Sequence, residues 1–203
     1  ALNNVAFDQI ERHFLDIESD SSIVGVVLSG FGIKAFVSGA DVPFLASIDS
    51  IAMGEETSRE SQKSIQAIED CTKPVVCALN GLAFGGGNEI AMACNARIAR
   101  AGQRVLVGQP EVNLGISPGA GGTQRLPRWV GVEKAAELMR TGRPVSSSEA
   151  LAIGLIVEEV AGDPRDLRAR AVELIRAYLS GDEPLPMIPM GPIETPDSLP
   201  EVD

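Results

Sequence analysis

Three consecutive glycines, Gly85, Gly86 and Gly87, stand between an apolar run and a short helix-like run in the stretch NGLAFGGGNEIAMACN, residues 80–95. Glycine has no Cβ, so the backbone there can lie bare against another segment or a ligand. The first N–H groups of a helix have no partner inside it and sit at the positive end of its dipole. A Gly-rich helix start therefore makes a site for a negatively charged oxygen, and Glu89 puts a carboxylate in the first turn beside it. The same pattern also serves as a close-packed turn from strand to helix, and the glycines alone do not separate the two readings.

The pattern on either side is that of an α/β domain. Residues 3–18 place Val5, Ile10, Phe14 and Ile17 at helical intervals, predicting an amphipathic helix. His13, the only histidine, lies on it and reads as a surface or packing residue. The runs IVGVVL (23–28) and VVCAL (75–79) are continuously apolar and of strand length, predicting strands buried on both faces. Between them come the Gly-punctuated loop SGFGIKAFVSGADV and a polar helix over 54–70. Short strands are expected over 97–101, 104–107 and 155–160, and helices over 90–93 and 131–140. Gly108-Gln109-Pro110-Glu111 is followed by the loop NLGISPGAGGTQRLP, residues 113–127. Ser146 and Glu149 form a capping-box pattern, and Asp163-Pro164 opens a further helix. Strands alternating with helices give an α/β fold, whose ligands gather at the C-terminal ends of the strands.

Composition narrows the partners. A net charge of −11 argues against nucleic acid and against an anionic membrane surface. No apolar run approaches the roughly 18–20 residues of a membrane span. Cys71, Cys77 and Cys94 are odd in number and show no CxxC spacing, which fits reduced, buried thiols in a cytoplasmic compartment rather than disulfides or a zinc site. Six of the 13 prolines fall after Glu183, so 182–203 is expected to be a linker or extended arm and 1–181 the domain. The chain opens on Ala1 without Met and is expected to be a fragment or trimmed product.

Three pieces are candidates for chemistry: the loop Ser38-Gly39-Ala40-Asp41, the pair Gly86 and Glu89, and Pro110-Glu111 with its following Gly-rich loop. Two backbone donors and two carboxylates are what stepwise chemistry on a thioester needs. The donors hold the carbonyl oxygen as it becomes an enolate, and the carboxylates move protons. On the residues alone, Glu89 could equally be a solvated helix position and Glu111 a carboxylate that merely suits a helix start.

The runs KAFVSGADV, KPVVCALNGLAFGGGNEIAMAC and GQPEVNLGISPGAGGTQRLPRWVG, in that order, closely resemble the crotonase superfamily, and specifically the enoyl-CoA hydratases. The resemblance covers most of residues 1–175. It implies a crotonase-like spiral of ββα repeats with helices outside, acting on a coenzyme A thioester without a metal or redox cofactor. It puts the oxyanion-hole donors on the N–H groups of Ala40 and Gly86, and the two catalytic carboxylates on Glu89 and Glu111. It assigns contacts with the acyl chain and pantetheine to Ala40, Asp41, Val42 and Pro43. The implied reaction is hydration of a trans-2-enoyl-CoA in fatty-acid degradation. A Δ3-Δ2-enoyl-CoA isomerase on the same fold and a non-catalytic binding or assembly module of a larger protein are the alternatives. Homotrimers, often paired into hexamers, are the implied assembly.

Against the family pattern, the first strand is missing ahead of residue 1, and the Pro-rich arm stands where closing helices are expected. The spacing between Glu89 and Glu111 is about two residues longer than in the typical hydratase, which points to a longer turn at 100–103. Lys34 and Arg125 are the basic residues considered for the coenzyme's phosphates, and the loop 44–55 for the acyl pocket. Gly115-Ile116-Ser117-Pro118-Gly119 matches the nucleophile elbow G-x-S-x-G, but Pro118 has no N–H for an oxyanion hole and no histidine follows Ser117.

Overall fold

The computed structural model describes residues 1–199 and residue 201. The chain winds as a spiral that adds one strand to each of two parallel sheets per turn. The first turn follows helix α1 (Asn4–Ser19) with strands β1 (Val26–Ser29) and β2 (Ala35–Val37), then helices α2 (Val42–Ala46) and α3 (Ile51–Glu69). The second is β3 (Val75–Leu79), β4 (Leu82–Phe84) and α4 (Gly86–Ala93). The third is β5 (Ala96–Arg100), β6 (Val107–Gly108), a 3-10 turn over Pro110–Leu114, then α5 (Gly122–Val130), α6 (Val132–Thr141) and α7 (Ser147–Ala152). Strand β7 (Glu158–Val160) and α8 (Pro164–Ser180) close it. One sheet runs β1-β3-β5-β7 and the other β2-β4-β6, with every pairing parallel. This is the expected spiral of ββα repeats with helices outside.

Local chemistry accounts for most boundaries. The Asn3 side chain accepts the Ala6 N–H and starts α1, and Ser50 does the same for α3 through Met53 N–H. Asp163 and Asp166 form a full capping box at α8. At α7 only half the expected box forms: Ser146 Oγ accepts Glu149 N–H, while the Glu149 side chain turns to Arg143 at 2.7 Å.

Several expectations are corrected. Strand β1 begins at Val26, not Ile23, and is half-buried because it is the outer strand of its sheet; β3, flanked on both sides, is wholly buried. The expected strand 104–107 shrinks to Val107–Gly108 and the expected strand 155–160 to Glu158–Val160. Helix α5 occupies part of the expected loop and carries Pro127 inside it. Residues 182–199 contain no helix or strand, yet Leu185 is buried against α8 and β3, and Arg128 Nη1 donates to Pro189 O and Gly191 O at 2.8 and 2.9 Å. Among the described residues no helix is long and apolar enough to cross a membrane.

Two features fix α4, the helix that matters below. A Cβ at Gly87 would lie 2.1 Å from Val37 O, so only glycine lets α4 press onto β2. At the other end Arg97, fully buried, donates to Cys94 O at 3.0 Å and Leu155 O at 2.6 Å, and its guanidinium stacks 3.8 Å from the Trp129 ring centroid. A cation among the last carbonyls of α4 suits the negative end of its dipole.

Candidate active site

Gly85 caps α4 at φ 52°, ψ −122°, a backbone that residues with a side chain avoid. Its N–H donates to Gly108 O at 2.9 Å, which ties the start of α4 to β6 and the segment carrying Glu111. A Cβ on Gly85 would stand 2.9 Å from Glu111 Oε1, and one on Gly86 would stand 3.9 Å from Glu89 Oε2. The two carboxylates thus flank adjacent residues of one turn, whose Cα atoms are about 3.8 Å apart.

Glu89 is 2% exposed. Its Oε1 accepts the N–H of Ala120 at 2.9 Å and that of Gly122, the first residue of α5, at 2.7 Å. Oε2 is the oxygen left toward Gly86. Burial pushes the Glu89 pKa up, and those two N–H groups together with the Arg125 charge pull it back. The Glu111 carboxyl is pushed up to about 7, chiefly by burial, with the nearby Glu89 charge adding to the rise and its own backbone N–H opposing it. Glu111 Oε2 is buried and has no hydrogen-bond partner among the described residues. Burial raises both carboxyls, so each holds a proton more readily than a solvated carboxylate does, which suits groups that give and take protons.

Ala40 reaches the same place from the first turn of the spiral. Leu2 N–H donates to Gly39 O at 2.9 Å and Asp41 N–H to Leu2 O at 2.7 Å. In such a parallel bridge the neighbours of the central residue do the pairing, so the N–H of Ala40 faces the opposite side. No acceptor among the described residues takes it. The Gly86 N–H, at the first position of α4, has no partner within the helix.

Ala40, Gly86, Glu89 and Glu111 line one cavity of about 510 Å3. Val42 lines it too, whereas Asp41 and Pro43 do not. Lys34 is exposed and off the cavity wall. Arg125 is excluded as a phosphate ligand by its own contacts: it is 6% exposed, pairs with Glu69 at 2.7 Å, and donates to Gln66 and to Ala120 O. Ser117 lines the cavity, but His13 is exposed on α1, so no histidine stands near it. No group of three or more His, Cys, Asp or Glu able to hold a metal occurs among the described residues.

The sequence reading missed the residues that hold Glu89. Ser58 Oγ and Gln62 Nε2 on α3 donate to Gly119 O at 2.6 and 2.8 Å, and Arg125 holds Ala120 O at 3.2 Å. Together they fix the loop whose N–H groups meet the carboxylate. The glycines of PGAGG were the available signal, since they too expose backbone donors.

Known proteins resemble the chain over most of its length. Residues 1–184 match the family described as enoyl-CoA hydratase/isomerase. The chain is 41% identical over 180 residues to the short-chain-enoyl-CoA hydratase of Clostridium acetobutylicum, covering 89% of this chain and 67% of that protein. It is 38% identical over 180 residues to the crotonyl-CoA hydratase of Syntrophomonas wolfei, with the same 89% and 67% coverage. Among solved structures, the enoyl-CoA hydratase of Bacillus anthracis superposes with a TM-score of 0.77 at 34% identity, over 88% of this chain and 67% of that one. DspI of Pseudomonas aeruginosa does so at 0.80 and 30% identity, over 88% and 66%. The chain thus spans about two thirds of the length of these relatives.

Proposed function

Because the chain belongs to the enoyl-CoA hydratase/isomerase family, we propose that it adds water to a trans-2-enoyl-CoA and releases a 3-hydroxyacyl-CoA, as in fatty-acid degradation. One observation carries the reading: two unpaired main-chain N–H groups, of Ala40 and Gly86, and two carboxylates share one cavity. The thioester oxygen sits between the N–H groups, which stabilise the negative charge it acquires as an enolate. A water held by Glu89 and Glu111 attacks Cβ, and a proton is delivered to Cα. The shared water couples the two acids, so base and acid belong to the pair. Val42 contacts the acyl-pantetheine portion.

The two carboxylates supply the proton transfers and the N–H pair supplies the charge stabilisation, so the reaction draws on no metal or redox group. The thioester is the partner, and the protein works as a homotrimer or a pair of trimers. Residues 1–181 form the catalytic unit, and 182–199 form an arm without helix or strand. Three free cysteines, two of them buried, support a reducing, cytoplasmic setting.

The test is incubation with a 2-enoyl-CoA and, separately, a 3-enoyl-CoA, with products separated by chromatography against standards of both isomers and read by mass. Gain of one water on the 2-enoyl substrate is expected. A shifted double bond without gain of water would make the protein an isomerase, and no conversion of either would leave a binding module.

A further inference from the structure

The acyl side of the cavity is built unevenly. Gly54, Thr57, Ser58 and Ser61 of α3 line it, and their spacing puts them on one face of that helix. All four are small. The larger apolar side chains Phe44, Leu45 and Ile48 line it as well. A Cβ added at Gly54 would meet Ile48 Cγ2 at 3.5 Å, an ordinary contact, so a methyl fits there and a larger side chain at 54 would take up space between the helix and Ile48.

The two serine hydroxyls on the small wall do not ask for a polar ligand. Ser58 Oγ donates to Gly119 O and Ser61 Oγ to Thr57 O at 2.8 Å, so both protons are used within the protein. Among the described residues no Lys, Arg or His lines the cavity, while Glu89 and Glu111 do, which disfavours an acyl group ending in a carboxylate. At the mouth, Val42, Leu114 and Ile116 line the cavity yet are 58%, 57% and 45% exposed. Large apolar side chains grouped around an opening mark a place where an apolar ligand lies.

Size then sets the class. A water molecule takes about 30 Å3 and a methylene group about as much, so a four-carbon acyl group fills on the order of 120 Å3 and a ten-carbon one about 300 Å3. The 510 Å3 available holds the longer chain with room for the thioester and the end of the pantetheine. Resting on the hydratase reading, we infer that the site takes an apolar acyl group of about eight to ten carbons, laid along the small face of α3.

Titration of the protein with butanoyl-, octanoyl- and decanoyl-CoA, followed by calorimetry, tests this apart from catalysis. Each buried methylene tightens binding by up to about fourfold, so the longer two should bind at least about tenfold tighter than butanoyl-CoA. Gly54→Leu, which fills the gap, should cut that ratio at least about tenfold, and Thr57→Met gives the same comparison from the next turn should the first variant not fold. A flat series in the wild type, or a ratio that folded variants leave unchanged, overturns the inference even if short 2-enoyl thioesters are hydrated. A steep series in a protein that hydrates no 2-enoyl-CoA upholds the chain-length inference and removes the hydratase reading instead.

Discussion

Gly122 donates its N–H to Glu89 Oε1 at 2.7 Å, joining residues 33 positions apart. Because Gly122 opens α5, the carboxylate sits at the positive end of that helix as well as in the first turn of its own. The contact also requires glycine: a Cβ at 122 would lie 2.4 Å from the Gln109 amide and 2.9 Å from Glu89 Oε1. Gly122→Ala should therefore displace the carboxylate, lowering kcat/KM for a 2-enoyl-CoA at least about tenfold and costing about 1–3 kcal/mol of stability. Steady-state kinetics beside thermal melts check this, and wild-type activity in the folded variant would refute it.

Glu89→Gln keeps an oxygen that can accept both the Ala120 and Gly122 N–H groups, so the fold should survive with little change in Tm. What disappears is a proton-accepting group toward the cavity. Hydration should slow by roughly 100- to 10,000-fold. A single-turnover assay on purified, folded variant decides it, and hydration at the wild-type rate would remove Glu89 from the chemistry.

Glu111 makes stability depend on pH in a definite direction. Its folded pKa, about 7, lies above the ordinary 4.5, so the folded state keeps its proton to higher pH than the unfolded state does. Between those two values stability falls as pH rises, and above about 7 the loss is complete. Glu111→Gln removes the charge whose burial is unfavourable. Its Tm should match the wild type near pH 4 and exceed it near pH 8, roughly one unit beyond the upper pKa. Calorimetric melts at both pH values measure this, and equal Tm values at the higher pH would contradict it.

Arg125 acts on Glu89 from behind, through Ala120 O and its own charge, while its ion pair with Glu69 is largely buried. Arg125→Gln leaves Glu69 without its cation and loosens the loop that carries the Ala120 and Gly122 N–H groups. A stability loss of about 3–5 kcal/mol is expected, as for other broken buried pairs. The acidic limb of the kcat pH profile should move upward, because a positive charge that lowers the Glu89 pKa is gone. An unmoved pH profile in a folded variant would mean Arg125 serves packing alone.

Legibility followed range. The strand VVCAL, the Asp163-Pro164 helix start, and the glycines at the head of α4 are local signals, and each formed the element it implied. The ordered motifs around Ala40, Gly86, Glu89 and Glu111 also singled out four residues that do line one cavity. Residues 113–127 read as loop because Pro127 and the glycines break the helical pattern, yet α5 runs through that proline.

Which atoms hold Glu89, that Arg125 is buried rather than free for a phosphate, and that β1 lies at a sheet edge were settled by folding alone. Periodicity and turn chemistry act over a few residues, whereas these contacts join segments 31 to 59 positions apart. The raised pKa of Glu111 belongs with them, since burial is its main cause and burial exists only once distant segments have closed over the carboxylate.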